Sequence, residues 1–437
     1  MDRTDETLDG MRLAAVAVTT VLVGVFAAPA PAIDCAPQPA DPVGASVRAV
    51  KADQVSTPAT TPPIAVLDSG LAAVPELTGR IKPGYNPADG SQNTTDTDGH
   101  GTAVASIAAA AAGGVRGVSP TSPVIPIKIF DSLGNTTEEA LIDALERATD
   151  MGARVINISS TAPAGDINSE PDTLVRMAIN LAVSDGALVI APTGNEGGAK
   201  LDIPAIYPHV IAVGATDASN ARAPFSNAGN GIDLVAPGTA IVTAAPKPLC
   251  SSGYQIVEGT SFSAPAVAGA AALLLQHHPK LDPAQATDML RLRGLRRPAP
   301  GWSVEMGFGL LDVAAVLNAP VPAADQPEVD DDITFSKLHA PVLKPSRRSR
   351  QVKGRVATHT DPADVLRVQL KKGDRLRAKL KAGAGATLKM RLSDGRRALT
   401  SGRSISYRVK RPAVYYVSIT VTKTPPAGAD YTLSLKR

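Results

Sequence analysis

Two kinds of segment alternate along the first three quarters of the chain: short runs of consecutive apolar residues and longer stretches with helical spacing. Ile64–Leu67 is one of the short runs, and runs of this length are typical of strands buried on both faces of a parallel sheet. The stretch 136–151 repeats Leu141, Leu145 and Ala148 at the spacing of one helix face,. Strands that alternate with such helices indicate an α/β domain whose mainly parallel sheet is covered on both sides.

The same pattern of apolar runs and helical spacing predicts a series of strands and helices between residues 63 and 318. The predicted strands cover residues 64–67, 124–129, 155–159, 187–191, 210–213 and 232–235, and the predicted helices cover residues 103–112, 136–151, 172–184, 266–275 and 282–293.

From about Val352 the pattern changes to alternation of apolar and polar residues, with Gly and Asp between the alternating stretches. Several short alternating strands at regular spacing are typical of a β-sandwich. We therefore predict that a small C-terminal β-sandwich follows the α/β domain. Its predicted strands cover residues 365–370, 375–380, 387–392, 415–421 and 431–435.

Charge divides the chain at about the same place. Residues 335–437 carry 25 Lys and Arg against 5 Asp, a net charge of +20, whereas residues 1–334 carry a net charge of −17. Such asymmetry bears on partners rather than on fold. The basic sandwich could bind an anionic cell-envelope polymer or lipid headgroups, or it could simply be a solvated surface. Nucleic acid is not expected as a partner, because the sequence offers no set of aromatic residues on which bases could stack.

The N-terminus has the pattern of a secretion signal. Arg12 precedes the apolar run Leu13–Ala28, and Ala30–Ala32 offers a cleavage site with small residues,. The first ten residues are acidic, which leaves open whether Met1 or Met11 is the start. An uncleaved membrane anchor is the alternative, although the run is short for a membrane span.

Three residues stand at positions suited to chemistry. Asp68 ends a predicted strand, His100 lies between two glycines before a predicted helix, and Ser261 precedes a helix that is apolar all round. Each also has a structural interpretation, as a turn aspartate, a packed histidine and a helix cap. A serine held at the start of a buried helix lies beside free N–H groups, which suits a nucleophile whose substrate becomes an oxyanion.

Four local sequences together resemble those of the subtilisin-like serine proteases, over about residues 63–317. They are Ala65–Gly70, Asp98–Ala105, Gly194–Gly197 and Gly259–Gly269. The resemblance implies a subtilisin-like three-layer domain and a catalytic triad of Asp68, His100 and Ser261. It also implies that Asn195 donates to the oxyanion.

The resemblance further implies a substrate cleft between two segments. Ser159, Ser160 and Thr161 would pair with the substrate backbone, and Thr193 with Gly194 would form the facing wall of the S1 pocket. Thr161 and Thr193 are bulkier than the usual residues, so we expect a preference for small or medium P1 side chains. The segment Ile203–Ala205 resembles a family segment that contains a cis-proline.

The stretch before Asp68 is too short for the folded inhibitory propeptide of many relatives. The arm Cys35–Pro63 instead resembles that of the mycosins, actinobacterial family members attached to specialised secretion systems. Mycosins carry a transmembrane helix after the catalytic domain, and this sequence has no such segment. Cys35 and Cys250 are the only cysteines and, in an exported protein, either pair or remain as two thiols,.

The domain prediction follows from these boundaries: a signal peptide at 1–32, an N-terminal extension at 33–62, the peptidase domain at 63–318, a linker at 319–351 and the basic sandwich at 352–437.

No cofactor is expected, and no metal site stands out. Calcium is possible near Asn93, Asp96 and Asp98, where a polar loop is the alternative, and His277–His278 is better placed to interact with a helix dipole than to bind metal,. The leading hypothesis is a secreted serine endopeptidase. The alternatives are a catalytically silent binding protein of the same fold, and a secretion-associated processing protease that its basic tail attaches to the cell surface.

Overall fold

A computed structural model describes residues 33–131, 134–163, 170–293, 295–296, 302–322, 343–346, 348–356, 363–394, 397–423 and 429–437. The predicted signal peptide and most of the predicted linker lie outside these residues. Within them, no helix combines the length and the apolar character needed to cross a bilayer. The α-helices are α1 (Gly44–Ala49), α2 (His100–Ala109), α3 (Glu138–Asp150), α4 (Glu170–Ser184), α5 (Thr260–His277), α6 (Pro283–Asp288) and α7 (Val313–Asn318).

The strands of the first part of the chain are β1 (Asp34–Ala36), β2 (Ile64–Asp68), β3 (Val124–Lys128), β4 (Val155–Ile158), β5 (Leu188–Pro192), β6 (Val210–Thr216), β7 (Leu234–Pro237), β8 (Ile241–Ala244), β9 (Tyr254–Val257), β10 (Leu295–Arg296) and β11 (Leu310–Leu311). Those of the last part are β12 (Ser349–Val356), β13 (Ala363–Leu370), β14 (Arg375–Ala382), β15 (Thr387–Ser393), β16 (Ala398–Ser401), β17 (Ser404–Arg408), β18 (Ala413–Lys423) and β19 (Ala429–Lys436).

The central sheet has the strand order β10-β11-β7-β6-β5-β4-β2-β3. All its pairings are parallel except the one between β10 and β11. Every residue of β2, β4 and β5 is buried, as expected for strands covered on both faces,. The prediction of a mainly parallel α/β domain is therefore confirmed. Because the strands are parallel, the carboxyl ends of β2, β4 and β5 meet at one edge of the sheet.

The two faces of the sheet carry separate hydrophobic cores. Ile64 and Val66 of β2 pack with residues of α2 and α5, whereas Ala65 and Leu67 pack with residues of α3 and α4,. Fifteen of the 18 residues of α5 are buried. Its Gly269 lets α2 approach, since a Cβ there would lie only 2.9 Å from the Ala108 carbonyl oxygen. The serine at the start of α5 is thus held by a helix with almost no freedom to shift.

The N-terminal extension packs as part of the same domain. Its middle forms helix α1, whose Val47 enters the core shared by α2 and α5. Strand β1 pairs antiparallel with β9, and Cys35 forms a disulfide with Cys250. Lys51, two residues after α1, forms an ion pair with the buried Asp312. The extension therefore reaches the strand that leads into the Ser261 helix.

The C-terminal residues form two four-stranded antiparallel sheets, with the orders β12-β19-β14-β17 and β13-β18-β15-β16. Alternate residues of the strands are buried, and Leu376, Leu392 and Leu433 lie in one core with side chains from both sheets. The predicted β-sandwich is therefore confirmed. The intervening polar residues of β14 are all exposed.

Candidate active site

Asp68 ends β2 with its carboxylate completely buried. Its Oδ1 lies 2.8 Å from His100 Nδ1 and accepts the backbone N–H of Ser69 at 2.6 Å. Its Oδ2 has no hydrogen-bond partner within the described part of the chain. Because an ionised carboxylate can only accept, Nδ1 of His100 carries the proton in this pair. The Nε2 atom of the neutral ring is then an acceptor.

The first turn of α2 lies directly against the end of β2. A Cβ on Gly101 would lie 2.1 Å from the Gly70 carbonyl oxygen and 3.1 Å from Asp68 Oδ1. Gly101 is therefore required for this approach, because any larger side chain would push His100 away from Asp68. The preceding Gly99 has φ 97°, which is in the left-handed region that favours glycine,.

Three carboxylates surround the imidazole of His100. Burial is the largest single effect on the pKa of His100 and lowers it. The charge of Asp68 and its hydrogen bond, together with the charges of Asp98 and Asp96, act in the opposite direction and leave the pKa raised. The side chain of His100 nevertheless keeps 22% of its surface exposed, so a substrate can reach it.

Ser261 is the second residue of α5 and is partly exposed in an otherwise buried helix. The ring of its neighbour Phe262 packs against the imidazole of His100, with 4.9 Å between the ring centroids. Gly259 precedes the helix with φ 141°, a conformation that side chains rarely permit,. The fold therefore brings the start of α5 to the open side of the Asp68–His100 pair.

Asn195 reaches the start of α5 from the loop after β5. Its Oδ1 accepts the backbone N–H of Thr260 at 2.8 Å and the Thr260 hydroxyl at 2.9 Å. Since the amide oxygen is occupied, its Nδ2 group is the part left for another partner. Contacts therefore connect the four side chains predicted from the sequence. Asp68 contacts His100, which packs on Phe262 on one side of Ser261. Asn195 bonds to Thr260 on the other side.

A model of the subtilase family of peptidases matches residues 60–309, more than half of the chain. The chain belongs to the subtilase family. Relatives and solved structures agree that this subtilase is a serine protease with a subtilisin-like fold.

The similarity to individual relatives covers the peptidase domain. Subtilisin Savinase of Lederbergia lenta is 36% identical over 230 residues, which are 52% of this chain and 81% of the relative. An alkaline protease of Alkalihalobacillus alcalophilus is also 36% identical over 230 residues, and the match spans 57% of its length. The crystal structure of MycP1 with the N-terminal propeptide removed has a TM-score of 0.56 and 27% identity, covering 64% of this chain and 96% of MycP1.

The predicted cleft segments follow the ends of β4 and β5 in this subtilase. Ser159 and Ser160 are buried, and Thr161 is partly exposed. Thr193 is completely buried, and its hydroxyl donates to the Asn227 carbonyl oxygen at 3.2 Å. The bulk of Thr161 is therefore nearer to solvent than that of Thr193.

The loop proposed for calcium is held together by Asp96. Its carboxylate accepts the hydroxyls of Ser69 and Thr102 and the backbone N–H of Gly99. Burial raises the pKa of Asp96, but these hydrogen bonds outweigh it and lower the pKa overall. Within the described residues no group of three or more His, Cys, Asp or Glu side chains is arranged to hold a metal ion. Asp96 instead connects the Asp68 turn to the His100 helix.

Two features near the site were missed in the sequence. Gln255 of β9 is buried and donates its side-chain amide to the carbonyl oxygen of Gly99, 3.0 Å away. Asp202 lies next to Gly194 with its carboxylate buried. A signal for Asp202 was present, since it directly precedes the segment expected to hold a cis-proline. The Ile203–Pro204 peptide bond is cis, as that resemblance implied.

Proposed function

We propose that this subtilase is a secreted serine endopeptidase that cleaves peptide bonds through an acyl-enzyme intermediate. The observation that carries the proposal is the 2.8 Å contact between Asp68 and His100, with the imidazole packed beside Phe262 at the start of α5. A serine hydroxyl is a poor nucleophile until an adjacent base takes its proton. His100 is the base, and Ser261 Oγ attacks the substrate carbonyl carbon.

Asp68 and Asn195 stabilise the charges that form in this step. Asp68 holds the proton on Nδ1 of His100, so that Nε2 can accept from Ser261, and it then stabilises the imidazolium. Asn195 donates its Nδ2–H to the oxyanion together with the backbone N–H of Ser261. The imidazolium returns its proton to the leaving amine. A water molecule activated by the same His100 then hydrolyses the acyl-enzyme.

Export is supported by the N-terminal sequence pattern and by the disulfide between Cys35 and Cys250, which persists in oxidising compartments,. We also propose the division into five segments predicted from the sequence, with the signal peptide removed at about Ala32.

Labelling with a fluorophosphonate probe tests the proposal against a catalytically silent protein of the same fold. We expect one covalent adduct, which peptide mass spectrometry maps to Ser261. The exposed Ser251 offers a matched control, because Ser251→Ala should label like the unaltered protein. A folded protein that resists the probe would support the silent alternative.

Removal of the Asn195 side chain is expected to lower kcat by about 10²–10³-fold, the cost of losing one oxyanion donor in subtilisin. The Asn195→Ala variant also loses the acceptor for Thr260, so its folding must be checked by circular dichroism. Steady-state kinetics on a peptide substrate measures the effect, which should fall on kcat more than on KM. An unchanged kcat would remove Asn195 from the mechanism.

The rate should rise with pH as His100 loses its proton, because only neutral imidazole can act as the base. Since the pKa of His100 is raised, the acidic limb of kcat/KM should have its midpoint above the ordinary histidine value of about 6.5,. Rates measured between about pH 5 and pH 9 at constant ionic strength give this midpoint. A midpoint clearly below the ordinary value would contradict the electrostatic description of the site.

We further propose that the basic sandwich attaches the protease to an anionic polymer of the cell envelope. The pairing of β14 supports this, because Arg377 lies directly opposite Lys436, and Arg375 directly opposite Arg408. Like charges directly opposite destabilise a sheet, so a ligand that neutralises them is a physical reason for the arrangement. Exposed cations on this sheet include Arg350, Lys353, Arg375, Arg377, Lys379, Lys381, Arg408 and Lys436.

Binding to polyphosphate, used as a linear polyanion, tests this surface. A double substitution of Arg375 and Arg377 to Gln should weaken binding and reduce its dependence on salt. The same charge change at Lys389 and Arg391, exposed residues of the other sheet, should have a smaller effect. Equal loss in both double variants, or binding that salt does not weaken, would reject a specific basic face.

A further inference from the structure

Asp202 lies between the two segments predicted to border the substrate cleft. On one side its backbone N–H donates to the Thr193 carbonyl oxygen at 3.0 Å. On the other side Ile203 and Ala162 exchange two backbone hydrogen bonds, of 2.9 and 3.0 Å. The chain at Asp202 therefore connects the wall that ends in Gly194 with the wall that contains Thr161.

The carboxylate of Asp202 is buried against Gly194, the residue before Asn195. A Cβ on Gly194 would lie 2.4 Å from Asp202 Oδ2, and only 5% of Asp202 is exposed. Oδ2 has no hydrogen-bond partner among the described residues, and Oδ1 has a long contact of 3.4 Å with Asn227 Nδ2. A buried carboxylate with one unsatisfied oxygen costs free energy. Here the buried carboxylate places a negative charge next to the predicted cleft.

Glu196 adds a second carboxylate on the other side of Asn195. Its Oε2 accepts from Asn227 Nδ2 at 2.7 Å and from the backbone N–H of Asn195 at 3.1 Å. Burial and then the charge of Glu196 raise the pKa of Asp202 to about 6, although a hydrogen bond with Thr161 acts in the opposite direction. Within the described part of the chain, neither carboxylate forms an ion pair. A cationic group entering this space would therefore supply a missing counter-charge.

We propose that Asp202, with Glu196 beside it, makes the S1 pocket of this subtilase select a substrate with Lys or Arg at P1. The proposal rests on the proposed function, because P1 is defined by attack of Ser261 on the following peptide bond. An ammonium or guanidinium group provides both a positive charge and N–H donors for Asp202 Oδ2. Charge, rather than the bulk of Thr161 and Thr193, then sets the preference of the pocket.

A set of peptides that differ only at P1 tests the preference directly. At pH 8, above the pKa of Asp202, we expect kcat/KM for Arg and Lys to exceed that for Leu or Phe by roughly 100-fold,. A pocket ranked by size would instead favour Ala or Leu and turn over Arg poorly. That result in the unaltered protease overturns the inference without any variant.

Substitution then assigns the preference to the carboxylate. Asp202→Asn keeps the shape and removes the charge, so the ratio of kcat/KM for Arg over Leu should fall at least tenfold. Glu196→Gln should lower the same ratio by less. Asp185→Asn is the matched control, because Asp185 is exposed just before β5, at the opposite edge of the sheet from the site. An unchanged ratio in Asp202→Asn, with native circular dichroism, contradicts the assignment.

The fluorophosphonate probe separates failure of this inference from failure of the proposed function, because it reports Ser261 without a P1 side chain. Labelled protein without a basic preference leaves the peptidase intact and removes the role of Asp202. If the protein does not label, titration calorimetry with the same Arg and Leu peptides still decides the matter. Tighter binding of the Arg peptide, lost in Asp202→Asn, supports the pocket, and equal binding overturns it.

Discussion

The Ser261→Ala variant is expected to lose about 10⁶-fold in kcat, the loss measured when subtilisin loses the serine of its triad. His100 would then be a base with no nucleophile beside it. The oxyanion donors could assist only the slow attack of water on the substrate. The helix that carries the residue should be unaffected, because Ser261 is partly exposed and Ala is a good helix former,. Single-turnover assays with an activated ester measure the residual rate.

The control for this variant is its stability, which should match that of the unaltered protein within about 0.5 kcal/mol, as for most exposed substitutions. Ser263, two residues further along the same helix, is a poor control because its buried hydroxyl donates to the carbonyl oxygens of Ala236 and Pro237. Peptidase activity that survives in well-folded Ser261→Ala would refute the triad.

Exchange of Asp68 for Asn should lower kcat by about 10⁴-fold, as it does in another serine protease with the same triad. The Asn side chain can donate its N–H to Nδ1 of His100, which would then carry no proton, and Nε2 would become the donor. An imidazole in that tautomer cannot accept the Ser261 proton. The same change removes the largest pKa-raising charge from His100, so the acidic limb of the pH profile should move to lower pH.

The pH profile distinguishes this mechanism from simple loss of structure. A misfolded site would lower kcat/KM equally at every pH, whereas Asp68→Asn should lower it and also shift its midpoint. The free energy of unfolding is the accompanying control. If the midpoint of the remaining activity stays in place, Asp68 is not the residue that sets the pKa of His100.

Local patterns predicted strands β2 to β7 and the motifs at their ends because each of these six strands is a nearly continuous buried run. Strand β2 appears at Ile64–Asp68, one residue longer than predicted, and β7 at Leu234–Pro237, two residues later than predicted. Helix α2 begins at His100 itself rather than at Ala103. The aspartate, histidine and serine motifs could be aligned because the chemistry of the triad permits few substitutes.

The features that the sequence did not reveal depend on contacts between distant segments. Helix α1 and strand β1 are too short to give a periodic pattern in the sequence. Each is stabilised only by the tertiary contacts it makes. Strand β17 was not predicted for a similar reason, since Ser404–Arg408 has a single buried residue. Asp202 belongs to none of the recognised motifs, and only the backbone hydrogen bonds around it show which two walls it joins.

The bond between Cys35 and Cys250 closes a covalent ring that includes Asp68 and His100 and leaves Ser261 just outside. A cut at an exposed loop within the ring, such as residues 88–90, does not separate the two pieces. A nicked molecule therefore migrates on a gel as one chain until a thiol reductant opens the ring. A cut between residues 319 and 351 has no such protection and frees the sandwich at once. Gels without reductant will consequently overstate how much of a preparation of this protease is intact.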